Sequence, residues 1–278
     1  MAQEYYGGLQ EKCREIRYQV MDMLADLGVG HVGGSLSVVE ALVTIYYTHM
    51  RIDPANPKME GRDRFVLSKG HAGPTLYAIL ADKGFFPKEM LYTINRPDTR
   101  LPSHADMLRT PGIDMTTGSL GQGLSCAVGI AAGARLKQDG ALVYTVLGDG
   151  ESQEGQVWEA ALYAAQLKLG NLIAFTDFNG LQIDGTIAEV NNLEPLDKKW
   201  EAFGWHVTTV DGHDIKAIDE AINKAKNVTS KPCMIILRTV KGKGVSFVEA
   251  AGTGNHNMQL SAEQRHAALK ELGSGAAS

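Results

Sequence analysis

Cysteine is scarce, with three among 278 residues, and Cys13, Cys126 and Cys233 form no CxxC pair. Neither a disulfide framework nor a cysteine-based zinc site is suggested. The expectation is a cytoplasmic chain with reduced, mostly buried thiols. A basic excess is absent too. The net charge is −5 and the pI about 5.9, so there is no footprint for nucleic acid. No apolar run reaches membrane-spanning length, which argues against a membrane partner. The opening MAQEYYGGLQEKCREIR has no signal-peptide core. Internal repeats are lacking. What is present is ordinary globular composition, 44% hydrophobic and 21% charged. That is enough for one large α/β domain over residues 1–272, with a flexible low-complexity tail at 273–278.

The most informative stretch runs from Val143 to Gly185. Ala141 to Leu147 reads as a buried strand. The turn Gly148-Asp149-Gly150 follows, then a helical pattern from Glu151 to Leu169, stopped by Gly170-Asn171. Leu172 to Thr176 reads as the next strand, with Asn179-Gly180-Leu181 at its carboxyl end. Ligands of open α/β sheets sit beyond such strand ends. Asp149 places a carboxylate just before a helix N-terminus, a position that also favours a phosphate. Two negative groups share that spot only with a cation between them. Asn179 adds a neutral amide oxygen thirty residues on. One carboxylate, one amide oxygen and a backbone carbonyl suit Mg²⁺ or Ca²⁺, and a diphosphate would complete an octahedron. The plainer alternative is a pair of tight turns.

The GDG turn, its spacing to Asn179, and the blocks GDGESQEGQVWEAA and KLGNLIAFTDFNGLQIDG resemble the transketolase form of the thiamine-diphosphate fingerprint. The resemblance implies that Asp149, the Asn179 side chain and the Leu181 main-chain carbonyl hold Mg²⁺, with Ca²⁺ or Mn²⁺ as substitutes. It implies that Gly150 lets the diphosphate approach, and that Glu151 and Ile183 belong to the cofactor site. The implied fold is the three-layer thiamin-diphosphate-binding fold: α/β, a mostly parallel sheet with helices on both faces.

The rest of the chain extends the likeness. Leu9 to Leu27 reads as a helix, and Gly30 to Ser35 is too glycine-rich for one. Ser35 or Ser37 is a candidate cap for a helix over Val38 to Met50. His31 stands in that glycine loop, where backbone can approach a phosphate or sugar; the family has GHPGG there, with Val32 replacing the proline. Arg64 to Leu67 reads as a strand. Ser68-Lys69-Gly70-His71-Ala72 matches the family's SKGHA, and the resemblance places His71 near the diphosphate and the sugar. A helix is expected over Pro74 to Lys83.

Arg96 to Pro111 is irregular, and such a long loop is a functional candidate. His104 sits there in LPSHAD, similar to the family's GHPE or GHPD with Ser103 and Ala105 as departures. Thr116 to Gly123 matches TTGSLGQG and opens a helix over Leu124 to Leu136. The resemblance puts Gly118, Ser119 and Leu120 against the thiazole and diphosphate end of the cofactor. Glu154 corresponds to an acidic residue between two cofactor-binding domains; a solvated charge is its plainer reading.

A loop is expected from Gly185 to Trp200, then a strand over Trp205 to Val210, a helix over Ile215 to Ala225, a strand over Met234 to Thr239 and a helix over Leu260 to Leu272. His213 reads as part of a capping turn, and His49 and His206 as packing or surface residues. Lys241 opens KGKG, whose first lysine contacts the diphosphate in the family. His256 is a substrate-phosphate or cofactor contact by a looser match. Neutral-range titration suits His31, His71, His104 and His256 to proton transfer or to bonding sugar hydroxyls.

The resemblance covers only the first part of a full-length transketolase and leaves no room for the pyrimidine-binding domain. It implies a diphosphate-binding subunit that works with a separate C-terminal subunit, two copies of each, in an α2β2 assembly. The implied reaction moves a two-carbon ketol unit from a ketose phosphate to an aldose phosphate. Three alternatives stay open: a split transketolase for a branched or sulfonated sugar, the alpha subunit of a 2-oxoacid dehydrogenase, and a non-catalytic partner.

Overall fold

A computed structural model of the chain describes residues 2–273. The tail from 274 to 278 lies outside the described residues, and Gly273 ends the last helix. In chain order the strands are β1 (Val29–Gly30), β2 (Arg64–Leu67), β3 (Val143–Gly148), β4 (Leu172–Phe178), β5 (His206–Asp211), β6 (Cys233–Arg238) and β7 (Met258–Gln259). Five make the main sheet in the order β2-β3-β4-β6-β5, every neighbouring pair parallel. The short β1 and β7 pair antiparallel on their own.

Side chains alternate across the sheet, and each face carries its own core. Phe65, Leu67, Tyr144, Val146, Ile173, Phe175, Ile235 and Leu237 pack with the helices Ala2–Leu27, Val39–Thr44, Gly73–Lys83 and Ile215–Lys226. Val66, Val143, Leu147, Leu172, Ala174, Met234 and Ile236 pack with Gln122–Lys137, Gly155–Gln166 and Leu196–Ala202. A strand buried on both faces has no polar face, which is why these runs read as continuous apolar segments. The crossovers from β3 to β4 and from β4 to β5 run over the second face; the return from β5 to β6 crosses the first. Right-handed connections require that switch when the direction across the sheet reverses. The expected three-layer α/β fold is therefore present.

Several local expectations need correction. Val32–Leu36 is a helix despite its glycines. All five residues are buried, and tight packing overrides weak propensity: a Cβ on Gly33 would lie 2.2 Å from Asn255 Oδ1. Ser35 and Ser37 cap nothing. Ser35 Oγ donates to the His31 carbonyl at 2.6 Å, and Ser37 Oγ donates to Asp177 Oδ2 at 2.7 Å. The following helix is Val39–Thr44, continued by a wider π-turn at Ile45–His49. The segment after Gly148 starts as a 3-10 turn, Gly150–Gln153, before the helix Gly155–Gln166. The expected loop between Gly185 and Trp200 holds the helix Ile187–Asn191, with a Thr186–Glu189 capping box, and the start of Leu196–Ala202. The first helix begins at Ala2, well before Leu9.

Candidate functional site

The carboxyl ends of β2, β3, β4 and β6 open onto one cavity of about 440 Å³. Asp149 follows β3 and caps the 3-10 turn, accepting from Gly150 N at 2.8 Å. Its other oxygen accepts from Gly180 N at 2.6 Å, across the gap to the end of β4. Asn179 Oδ1 accepts from Leu181 N at 3.1 Å, and Lys241 Nζ, from beyond β6, donates to the Leu181 carbonyl at 3.5 Å. Asp149, Asn179, Leu181 and Lys241, named from spacing and resemblance, thus line one wall.

Four histidines from four separate segments face them. The His31 ring lies 5.8 Å from His71, 5.3 Å from His104 and 5.5 Å from His256, and His71 lies 5.0 Å from His256, centroid to centroid. Burial holds all four below the usual imidazole range, with neighbouring positive charge adding to it at His31, His71 and His256. His256 is brought to about 4. Burial thus favours the neutral form of these rings, and a neutral imidazole offers one N–H donor and one acceptor nitrogen. Burial, with Lys69 nearby, lowers Lys241 to about 8.

Two glycine blocks meet behind the histidines. A Cβ on Gly70 would lie 2.8 Å from Gly118 N, and Gly118 has φ +139°, a conformation side chains disfavour. This contact docks the SKGHA segment onto the TTGSLGQG segment. Gly118, Leu120, Gly150 and Ile183 line the cavity; Ser119 does not. Glu151 also lines it, yet its carboxylate is already used. It accepts from Ser68 Oγ, from Gly121 N at 3.0 Å and from Gly148 N at 3.0 Å, tying the glycine loop to β3. Glu154 is exposed at the cavity rim. His213 is structural: its Nε2 accepts from Val240 N at 2.9 Å and its Nδ1 reaches Glu40 at 3.1 Å. His49 packs inside, 2.9 Å from Asp219. The three thiols are free, and Cys13 and Cys233 are buried.

Sequence reasoning passed over a buried ion pair beneath the site. Lys69 is 1% exposed and Asp177 fully buried, and they bond to each other. Asp177 also accepts from Ser37 at 2.7 Å, from Thr239 Oγ1 and from Asn179 Nδ2 at 3.1 Å. Burial alone would raise this carboxyl; Lys69, together with the hydrogen bonds from Thr239 and Ser37, outweighs it and holds it below the usual range. A charged residue inside the apolar run of β4 was the available signal. Gln153, Gln182 and Asp184 line the cavity and were also missed.

The donor set fits a hard divalent cation with a diphosphate. Asp149 is 2% exposed and, among the described residues, accepts only from backbone N–H groups, with no bonded cationic side chain. Burial first, then the charge of Asp177, raises its pKa to about 6, as for a carboxylate waiting on a counter-charge. Among the described residues no group of three His, Cys, Asp or Glu side chains is arranged to hold a metal. A cation here would depend on Asp149, the Asn179 amide oxygen, the Leu181 carbonyl and phosphate oxygens, which suits Mg²⁺.

The family model described as "Transketolase, thiamine diphosphate binding domain" matches residues 9–277. The chain belongs to the transketolase family. It is 55% identical over 264 residues to the 6-deoxy-6-sulfo-D-fructose transketolase subunit of a Clostridium species, covering 95% of this chain and 96% of that one. It is 38% identical to an apulose-4-phosphate transketolase subunit of Phocaeicola vulgatus, covering 95% of this chain and 93% of that one. The crystal structure of Campylobacter jejuni transketolase superposes with a TM-score of 0.89 at 33% identity, over 95% of this chain and 42% of that one. The chain therefore spans about two-fifths of that transketolase and nearly all of the two transketolase subunits. This transferase family has a thiamine-diphosphate-binding domain, and that match decides against the 2-oxoacid dehydrogenase alternative.

Proposed function

We propose that this chain is the diphosphate-binding subunit of a split transketolase that transfers a two-carbon ketol unit between sugars. The convergence of four histidines on the Asp149–Asn179–Leu181 oxygens and Lys241 is the observation that carries this reading. Mg²⁺ would be held by Asp149, Asn179 and Leu181, and Lys241 would meet the diphosphate. Thiamine diphosphate, when bound, supplies the nucleophilic carbon and the electron sink that cleavage of a ketose C2–C3 bond requires. His31, His71, His104 and His256 would bond the sugar hydroxyls and carry protons to and from them, since their rings cluster in the one cavity. Gly118 and Leu120, which line the cavity, would border the cofactor's thiazole end.

The second half of the site would come from a separate pyrimidine-binding subunit, in an α2β2 assembly. Apolar side chains at the cavity mouth support this: Leu120 is 39% exposed and Ile183 65%. Glu154, exposed at the same rim, would meet a second copy. Free thiols and the absence, among the described residues, of a helix long and apolar enough to cross a membrane agree with a cytoplasmic setting.

The 55% identity to a sulfofructose transketolase subunit favours a sulfonated ketose as donor over a phosphorylated one. The test is ketol transfer with Mg²⁺ and thiamine diphosphate, using xylulose 5-phosphate and 6-deoxy-6-sulfofructose as rival donors. The chain is assayed alone and with the product of the adjacent reading frame. Activity confined to the mixture is expected, with the sulfonated donor preferred. Activity of the chain alone would overturn the split-enzyme reading, and preference for xylulose 5-phosphate would overturn the donor.

A further inference from the structure

The buried Asp177 has an arrangement that pairing with Lys69 does not explain. Its carboxylate collects donors from four directions: the Lys69 ammonium, the Ser37 hydroxyl, the Thr239 hydroxyl and the Asn179 side-chain amide. These come from the loop after β2, the segment before Val39–Thr44, the end of β6 and the end of β4. An ionised carboxylate offers acceptors only. Whatever faces it must present hydrogens, and for the Asn179 amide that means its NH₂ end, at 3.1 Å. The amide oxygen is thereby turned to the other side, toward Leu181 N at 3.1 Å and the wall it shares with Asp149.

An amide is nearly symmetric in shape, and its two ends differ only in what they can bind. A cation can take the oxygen and not the NH₂. Turned over, Asn179 would set its oxygen against the Asp177 carboxylate and its NH₂ toward the metal position. We propose that Asp177 is a positioning residue that fixes the Asn179 amide with its oxygen toward the cation, and that Lys69, Ser37 and Thr239 serve to hold Asp177 in place for that task. This rests on the thiamine diphosphate and Mg²⁺ reading. Outer partners that orient a metal ligand typically contribute about 10- to 100-fold to metal affinity.

The test is a double-mutant cycle read by metal affinity rather than turnover. Mg²⁺-dependent thiamine diphosphate binding is followed by intrinsic fluorescence on the assembled enzyme, for wild type, Asp177→Asn, Asn179→Asp and the double variant. Melting without cofactor reports folding. A carboxylate at 179 has two equivalent oxygens and needs no orienting partner. Asp177→Asn is expected to raise the apparent Mg²⁺ Kd about 10- to 100-fold in the wild-type background. In the Asn179→Asp background it should leave the Kd unchanged or lower it, since it removes a facing like charge.

An equal loss in both backgrounds would mean that Asp177 acts through general structure, and no loss in either would mean it does not act on the site; each overturns the proposal. Should Asp177→Asn fail to fold because Lys69 is left unpaired, Asp177→Asn is combined with Lys69→Met, and that pair of substitutions is compared with the unsubstituted pair in both the wild-type and the Asn179→Asp backgrounds. If wild type itself shows no Mg²⁺-dependent binding, the cofactor reading falls, and that outcome is distinct from wild-type binding with an unresponsive cycle.

Discussion

Replacing Gly34 by alanine separates the placement of His71 from the stability of the fold. Gly34 lies within the buried helix Val32–Leu36, and a Cβ there would sit 2.9 Å from both Cδ2 and Nε2 of the His71 ring. Comfortable carbon contacts need about 3.5–4.0 Å, so something must give by roughly 0.6–1 Å. The ring is packed on its other sides by His256 at 5.0 Å and His31 at 5.8 Å, centroid to centroid, so its retreat disturbs the whole cluster. Overpacking of a filled interior costs about 1–3 kcal/mol. Alanine for glycine within a helix regains about 1 kcal/mol. The net is about 0–2 kcal/mol of destabilisation, a Tm shift of a few degrees. Catalysis should suffer far more, because misplacing a reacting group by about 1 Å can cost about 10²-fold. Ketol-transfer kcat and calorimetric Tm, measured on the same preparation, check this. A kcat within twofold of wild type would refute the assigned role of His71. A kcat loss matched by an equal loss of folded protein would refute the claim that geometry alone is at issue.

Acid stability should follow Glu40. Its burial would raise the pKa, but Arg17 at 2.7 Å and His213 at 3.1 Å outweigh this and bring it to about 2. A depressed carboxyl contributes stability above its unfolded pKa and loses it as pH falls toward the folded value. Roughly 3 kcal/mol should therefore disappear between about pH 4.5 and 2, and Glu40→Gln should flatten that limb in urea titrations at stepped pH. Trp200 is fully buried, with rings 4.9 Å from Trp158 and 5.0 Å from Trp205. Trp200→Ala should cost about 3–5 kcal/mol by urea denaturation, and a loss below about 1 kcal/mol would contradict the packing. Lys241→Ala should raise the thiamine diphosphate Kd about tenfold or more, as expected for one charge-assisted bond. The cofactor-free Tm should not fall, since the lysine is buried and its pKa is lowered to about 8. Dialysis against a chelator should abolish the thermal shift given by thiamine diphosphate, about 2.7 kcal/mol at a hundredfold excess over Kd; a shift that survives would remove Mg²⁺ from the site.

Strands β2, β3, β4 and β6 were legible because each is a mostly apolar run packed between the two cores, and β2, at Arg64–Leu67, matches its expected span; the two-residue β1 and β7 carry no such signal. Asp149 and Asn179 were legible because a turn after one strand and an amide after the next stand at a fixed spacing within a single βαβ unit. Local chain geometry decides both. The glycine helix Val32–Leu36 was misjudged for the opposite reason: its stability comes from contacts with Asn255 and His71, which are remote in the chain.

By itself the sequence determined the alternation of strand and helix, the neighbouring carboxylate and amide oxygens, and the motif blocks that carry His71, Gly118 and Lys241. Tertiary structure alone decided that His31, His71, His104 and His256, spread over most of the chain, share one cavity wall. It alone decided that Glu151 spends its carboxylate on the glycine loop, and that Lys69 neutralises Asp177 beneath Asn179. Periodicity and turn chemistry act over a few residues and can be read along the chain. Buried charge pairing and the meeting of distant loops are set by how the sheet's strand ends are brought side by side, and no local pattern records it.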